Sequence, residues 1–312
     1  MVRSYEWVFM PLEVIIAVAC CMGNMLVIWA VWKCGVLRKP TFIFIVSLAV
    51  ADFLVGSVAI PLALLVDIRM QISFIECLVM CCVIIMPQAA SVTILLAITV
   101  DRFLRVRIPL TYKSTVSIKH SWILVALCWF TAALLSFMPL FGWHNTLDGD
   151  STSFKCTLLT VTSYSYLVNF IFFSFFLPPL VVMTGLYCYI YLTTRRLLRA
   201  NVGVASVSST YYQKEHRLAT SLGLVLGFFA VCWLPLFIMM TVKFYGQNIE
   251  VPFVAIDTVV LLSHANSAIN PIVYSFKIPK IKEACRKLWM RNFSGEEHQQ
   301  NKQSSAQSND FH

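Results

Sequence analysis

Long apolar runs alternate with short polar, basic connectors along almost the whole chain. Seven of these runs, near residues 8–33, 41–66, 76–100, 121–143, 164–193, 217–242 and 253–276, are each long enough to cross about 30 Å of hydrocarbon as a helix. Lipid offers no partners to open sheet edges, so helices are the structure these runs predict. The expected fold class is an all-α membrane protein, a seven-helix bundle with its two termini on opposite sides of the bilayer. No internal repeat is visible.

Apolar residues make up 59% of the 312 positions and charged residues only 12%, about half the roughly 25% of a soluble domain. Of the 24 lysines and arginines, all but Arg3, Arg69, Lys155 and Lys243 fall in one set of connectors or in the C-terminal segment. Positive charge marks the cytoplasmic side. The N-terminus is therefore expected outside the plasma membrane and the C-terminus in the cytoplasm. The net charge of +9 follows from this asymmetry and implies no nucleic-acid partner.

The first apolar run is too long for a signal-peptide core and continues into a basic flank, which predicts a retained span. Residues 1–291 are expected to form the bundle and a short juxtamembrane helix. In PKIKEACRKLWMRNF, Ile281, Ala284, Cys285, Leu288 and Trp289 share one helical face opposite basic residues, as suits a helix lying on membrane lipid. Cys285 there is either an acylation site or a free thiol on the apolar face. Residues 292–312 are polar and rich in Gln, Ser and Asn, so a disordered tail is expected. Asn292-Phe293-Ser294 has the spacing of a glycosylation site but lies on the cytoplasmic side. Most of the 11 cysteines lie inside spans as small packing residues. Cys77 and Cys156 lie on the oxidising side, where they form a natural disulfide tying the second outer loop to the third span.

Polar groups within hydrocarbon are costly and mark interior contacts or function. Carboxylates are scarce away from the ends of the spans, with Glu13 in the first and Asp52 in the second, and candidate neighbours of Asp52 are Asn24, Ser91, Asn266 and Asn270. A buried acid needs a partner or a cation. On chemistry alone a hydrogen-bonded cluster joining helices is the plainer reading, with a hydrated sodium ion as the alternative. Asp101-Arg102-Phe103 closes the third span, as a local ion pair or as charge at a helix end. Trp233 precedes Pro235 in the sixth span, and Pro61, Pro87, Pro179 and Pro271 are expected to kink or break the second, third, fifth and seventh. A transporter would suit the interior acids, but inverted or parallel repeats are lacking. An enzyme is not expected: no HExxH occurs, and Ser263 and His264 are helix neighbours that do not face one another.

In order and spacing these elements resemble the rhodopsin-like G-protein-coupled receptors: Asn24 in GNMLV, Asp52 in SLAVAD, Asp101-Arg102-Phe103 for Asp-Arg-Tyr, Trp129, CWLP and Asn270-Pro271-Ile272-Val273-Tyr274. Within them, FIVSLAVADFLVG, LLAITVDRFLRV, LCWFTAALLSFMPLFGW, PLVVM, CWLPL and LLSHANSAINPIVY are similar to segments of the adenosine receptor family, and the last three lean to its type-three subtype. The resemblance implies an extracellular small-molecule ligand and coupling to a heterotrimeric G protein of the inhibitory class. It places Asp52, Ser91, Asn24, Asn266 and Asn270 at a sodium site. Asp101, Arg102, Pro235, Pro271 and Tyr274 become parts of the G-protein switch, with Arg195, Arg196, Lys214 and Arg217 beside the third inner loop.

For the ligand pocket it implies Glu13, Ile84, Ile85, Gln88, Leu158, Trp233, Leu236, Met240, Ser263 and His264, with Glu13 paired to His264. Several of these depart from the family pattern. Leu158 and Leu159 replace a stacking Phe and a Glu, Met240 replaces the Asn that holds adenine, Gln88 replaces a ribose-side Thr and follows Pro87, and Phe237 stands where His or Ser is common. Each unpaired polar edge that results costs roughly 1–3 kcal/mol and the lost stack about another 0.5–1.5 kcal/mol. The implied reading is thus a receptor for adenosine or a related nucleoside. The alternative is a divergent receptor with another ligand or none.

Overall fold

A computed structural model describes residues 6–33, 35, 37, 39–67, 72–145, 156–200, 207–246, 251–277 and 283. The expected juxtamembrane helix, the tail, Cys285 and Asn292 lie outside the described residues, apart from Glu283. The helices are α1 (Glu6–Lys33), α2 (Pro40–Leu54), α3 (Ile60–Asp67), α4 (Phe74–Arg107), α5 (Pro109–Thr115), α6 (Ile118–Ser136), α7 (Leu158–Val161), α8 (Leu177–Ala200), α9 (Val207–Tyr245) and α10 (Phe253–Lys277). A π-helical turn, Val55–Ala59, joins α2 to α3, and a π-helical segment, Tyr166–Phe176, leads into α8. The two composites are the second and fifth spans, giving seven.

Six of the spans are long and apolar enough to cross a membrane by length and composition. The seventh, α10, has 25 residues, and Ser263, His264, Asn266, Ser267 and Asn270 dilute its apolar character. Hydrocarbon-facing side chains are abundant on α1 (Trp7, Ile15, Met22) and α6 (Ile123, Leu127, Phe130), all more than half exposed. The second span and α4 instead supply the packed centre, with Ile43, Ile45, Leu48, Ile94 and Ile98 at 1% exposure or less. Such a distribution is inverted relative to a soluble bundle, because here the surrounding solvent is apolar.

Boundaries differ from the hydropathy pattern where polar residues continue a helix beyond hydrocarbon. The third span runs to Arg107 and the sixth begins at Val207, well before the apolar run. The fourth ends sooner than expected, at Ser136. Pro139 follows in a short 3-10 turn, Met138–Phe141, closed by Gly142 at φ 110°, a left-handed conformation that favours glycine. The expected breaks at proline occur in the second and fifth spans, where the α-helical pattern gives way to π-helix just before Pro61 and Pro179, and not in the third and seventh. Helix continues through Pro87, Pro235 and Pro271, while Pro61 and Pro179 sit just after the two π-helical stretches, which absorb the register change instead.

Close helix approach needs small residues. A Cβ on Gly56 would come 2.7 Å from the Ala17 carbonyl and from Cys20 Cβ, and one on Gly23 would sit 3.0 Å from the Pro271 ring. Both glycines thereby let α1 lie directly against its neighbours. Above α4, Ser73 and Glu76 form a capping box, with Ser73 N–H donating to Glu76 Oε2 at 2.9 Å. The expected Cys77–Cys156 disulfide is formed, with the Cα atoms 5.8 Å apart. It secures a loop that Asn145 also grips, its amide donating to the carbonyls of Leu159, Thr160 and Thr162.

Candidate functional site

Three interior places stand out, two of them polar clusters and one an apolar cavity. At the first, the Asp52 carboxylate on α2 accepts from Ser91 Oγ (3.3 Å), Ser267 Oγ (2.9 Å) and Asn270 Nδ2 (2.7 Å), joining three spans. All four residues are buried. Asn24 reaches the cluster through backbone, its amide donating to the carbonyls of Cys20 (2.9 Å) and Ser267 (3.1 Å). Asn266 makes no hydrogen bond to Asp52. Ser267 is an addition to the sequence reading. Its place three positions before Asn270, on the same helical face, was the available signal.

The buried Oδ1 atoms of Asn24, Asn266 and Asn270 and the Trp233 Nε1 lack hydrogen-bond partners among the described residues. Orphaned buried acceptors call for a donor, a water or a cation. Three amide oxygens and one carboxylate are the oxygen donors that a small hard cation prefers. Among the described residues no three His, Cys, Asp or Glu side chains converge, so a transition-metal centre has no ligand set there.

The second place is the Arg102 end of α4. Arg102 is 1% exposed, and each of its three side-chain nitrogens donates at least once. Nε donates to Asp101 at 3.1 Å, Nη2 to Asp101 and Thr41, and Nη1 to Glu215 Oε2 at 3.1 Å. Asp101 also accepts from Arg105 Nε at 3.1 Å and from the Tyr112 hydroxyl. Burial, then the Asp101 charge, pushes the Tyr112 phenol up, so it stays protonated as the donor this contact needs. The Asp101–Arg102 pair is thus more than charge at a helix end. It is the base of a network that reaches α9 through Glu215, and Tyr211 on α9 donates to the Arg105 carbonyl at 3.0 Å. Glu215 went unnoticed in the sequence, since an acid within a basic, polar connector gives no periodicity signal. Phe103 packs edge-on against Tyr189, their centroids 5.4 Å apart. Tyr274 lies on α10, with its side chain outside the described set.

The third place is a cavity of about 40 Å³ between α4, the π-helical segment and α9. From α4 come Ile85, Gln88, Ala89 and Val92; the π-helical segment gives Ile171, Phe175 and Phe176; α9 gives Trp233 and Phe237. Its aromatic wall is continuous: Phe237 lies 4.6 Å from Phe176 and 5.7 Å from Trp233, centroid to centroid, and also stacks at 4.9 Å on Phe172, which is not part of the lining. Of the expected pocket residues, Ile85, Gln88 and Trp233 line this cavity. Ile84 packs against the disulfide cluster instead, because it lies on the other face of α4. Leu236 is buried in the core, with Leu158 and Met240 packed against that core. Glu13 and His264 pair at 2.8 Å as expected, between α1 and α10 and apart from the lining, while Ser263 Oγ is committed to the Val260 carbonyl at 2.7 Å.

This arrangement has known counterparts. The family model of the 7 transmembrane receptor (rhodopsin family) matches residues 23–274. Adenosine receptor A3 of Bos taurus is 40% identical over 278 residues, covering 88% of this chain and 87% of the relative. That of Canis lupus familiaris is 39% identical over 279 residues (88% of each chain), and that of Ovis aries 39% over 278 (88% and 87%). Proteins of this kind are receptors and not enzymes. With its seven helical spans, its buried Asp52 cluster and this likeness over most of its length, the chain belongs to the adenosine-receptor family of rhodopsin-type seven-transmembrane receptors.

Proposed function

We propose that the protein is a plasma-membrane receptor, N-terminus outside, that answers an extracellular adenosine-like ligand by activating a heterotrimeric G protein of the inhibitory class, lowering cyclic AMP. The observation that carries this reading is the buried bridge from Arg102 on α4 to Glu215 on α9. A charged pair buried at the cytoplasmic end of two helices costs desolvation, and it has a use if its release opens that end to a partner. Ligand entering beside Trp233 and Phe237 shifts α9, since Trp233 and Glu215 belong to one continuous helix. Only a ligand with different affinities for the closed and open states can move that equilibrium.

Asp52, Ser91 and the three asparagines would hold a sodium ion that favours the closed state, supported by the buried amide oxygens that have no donor among the described residues. The inhibitory class rests on the likeness to the type-three receptors. A second reading, a receptor of the same family with a ligand other than adenosine, is favoured by the apolar cavity wall and by Leu158, Leu159 and Met240, apolar residues packed against the core where the family pattern has polar or aromatic ones.

The test is a cyclic AMP measurement in cells expressing the full chain at the surface. Adenosine should suppress forskolin-raised cyclic AMP, and pertussis toxin should abolish the suppression. No response at millimolar adenosine with normal surface expression removes adenosine as the ligand. Met240→Asn with Leu158→Phe should then gain a response if the second reading holds.

A further inference from the structure

Glu215 and His216 are neighbours on α9, and a helix turns by about 100° from one residue to the next, so the two face different helices. Glu215 reaches Arg102 on α4 at 3.1 Å, and Tyr211, four residues earlier on the same face, reaches the Arg105 carbonyl at 3.0 Å. His216 reaches α8 instead. Its Nδ1 lies 2.8 Å from Thr194 Oγ1, and its ring lies 5.2 Å from that of Tyr191, centroid to centroid.

Which atom gives the proton follows from what Thr194 already does. Its hydroxyl lies 2.8 Å from the Ile190 carbonyl and 3.2 Å from the Tyr191 carbonyl, both within α8. A hydroxyl has one proton and two lone pairs, and a carbonyl only accepts, so that proton is committed to the helix backbone. Toward His216 the Thr194 oxygen can only accept. Nδ1 must therefore carry the hydrogen, as it does in the Nδ1–H tautomer and in the imidazolium alike. Thr194 is buried, so bulk water does not compete for its lone pair while the helices are together.

Beyond His216 the same face of α9 is thinly packed. Thr220, at i+4, is exposed and returns its hydroxyl to the His216 carbonyl at 2.9 Å. Gly223 and Gly227 continue that face, and a Cβ added at either would meet nothing within 4 Å. The next ring contact between the fifth span and α9 is Phe176 with Phe229, 5.2 Å centroid to centroid. The His216–Thr194 bond is thus the polar tie between α8 and the cytoplasmic end of α9.

We infer that His216 is a second catch on the receptor's switch, a positioning residue that pins the cytoplasmic end of α9 to α8 through Thr194 while Glu215 pins it to α4. Outward movement of α9 has to break both. The two catches have separate partners, so their contributions to the closed state multiply. The inference rests on the reading of the Arg102–Glu215 bridge as the closed state of a G-protein switch.

The experiment measures ligand-independent G-protein dissociation by the full-length receptor at equal surface expression. Losing one neutral hydrogen bond shifts such an equilibrium roughly two- to tenfold. His216→Ala and Thr194→Val should each raise the signal by about that factor, and the double variant should rise no further than the larger single one. His216→Asn sets an amide N–H near the position of Nδ1 and should stay close to the unmodified receptor. His216→Gln sets its amide nearer the position of Nε2 and should behave like His216→Ala. Lost packing would give the opposite order, since Gln keeps more of the histidine volume than Asn. Signalling unchanged by both His216→Ala and Thr194→Val overturns the inference. So does a double variant equal to the product of the single effects, or a rise with His216→Asn as large as that with His216→Ala. Glu215→Gln separates the two failures. If it raises the signal while the His216 and Thr194 variants do not, the α8 catch is absent and the switch stands. If it too leaves signalling flat, the underlying reading fails as well.

Discussion

Arg102 Nη1 lies 3.1 Å from Glu215 Oε2, linking two helices through side chains that are 2% and 8% exposed. The two residues are 113 positions apart in sequence, and the bridge is the point at which α9 is held to α4 by opposite charge. Replacing Glu215 by Gln removes that charge while keeping an acceptor. It should cost the closed state about 2 kcal/mol, the loss of one charge-assisted bond. That corresponds to roughly a thirtyfold shift toward the open state. Ligand-independent G-protein dissociation should rise severalfold at equal surface expression.

The Asp52 cluster predicts a dependence on sodium. Exchanging sodium for a bulky organic cation should raise basal signalling of the unmodified receptor, because the cation is lost from the closed state. Asp52→Asn keeps hydrogen-bonding capacity toward Ser91, Ser267 and Asn270 but removes the charge. It should abolish the difference between the two salts. A sodium effect that survives in Asp52→Asn would place the ion elsewhere.

Cys77 and Cys156 are separated by 79 residues. Cross-linking a loop of that size restricts the unfolded chain by about 4 kcal/mol in the chain-entropy account. Cys77→Ser should therefore lower the thermal midpoint of detergent-purified receptor by several degrees and reduce surface expression. Cys156→Ser should match it, and the double variant should be no worse than either single one.

Helix packing gives a paired prediction. Gly56→Ala drives a methyl to 2.7 Å from the Ala17 carbonyl, whereas one added at Gly185 meets nothing within 4 Å. The first should destabilise by roughly 1–3 kcal/mol. At Gly185 alanine is neutral or stabilising, since it restricts the unfolded chain and improves helix propensity. A thermal-shift assay on the two variants side by side separates these outcomes.

Much of this was legible before any coordinates. Asp52 and Asn270 stand out in the sequence because a polar residue amid hydrocarbon-length apolar runs is costly, and the structure brings them to 2.7 Å. The Cys77–Cys156 pair was legible from topology, as the cysteines left on the oxidising side. Glu215 was not, because its neighbours Lys214, His216 and Arg217 are charged or titratable and α9 there has left the apolar pattern. The π-helical segment Tyr166–Phe176 was equally invisible, being a change of hydrogen-bond register within uniformly apolar residues. That register turns Phe172 and Phe176 toward Phe237, so the shape of the cavity depended on something hydropathy does not encode. Ile84 shows the same limit, since only the phase of α4 separates it from Ile85.

The central claim is that Glu215 holds α9 closed against Arg102, and a distance measurement tests it most directly. Spin labels would be placed at two exposed positions near that end, Lys119→Cys on α6 and Gln213→Cys on α9. The background would be one in which Cys34, Cys188 and Cys285 are serine. Double electron–electron resonance on purified receptor should give one short distance for the unmodified bridge. Glu215→Gln should add a population several ångströms longer. Identical distance distributions with and without the Glu215 carboxylate would contradict the account.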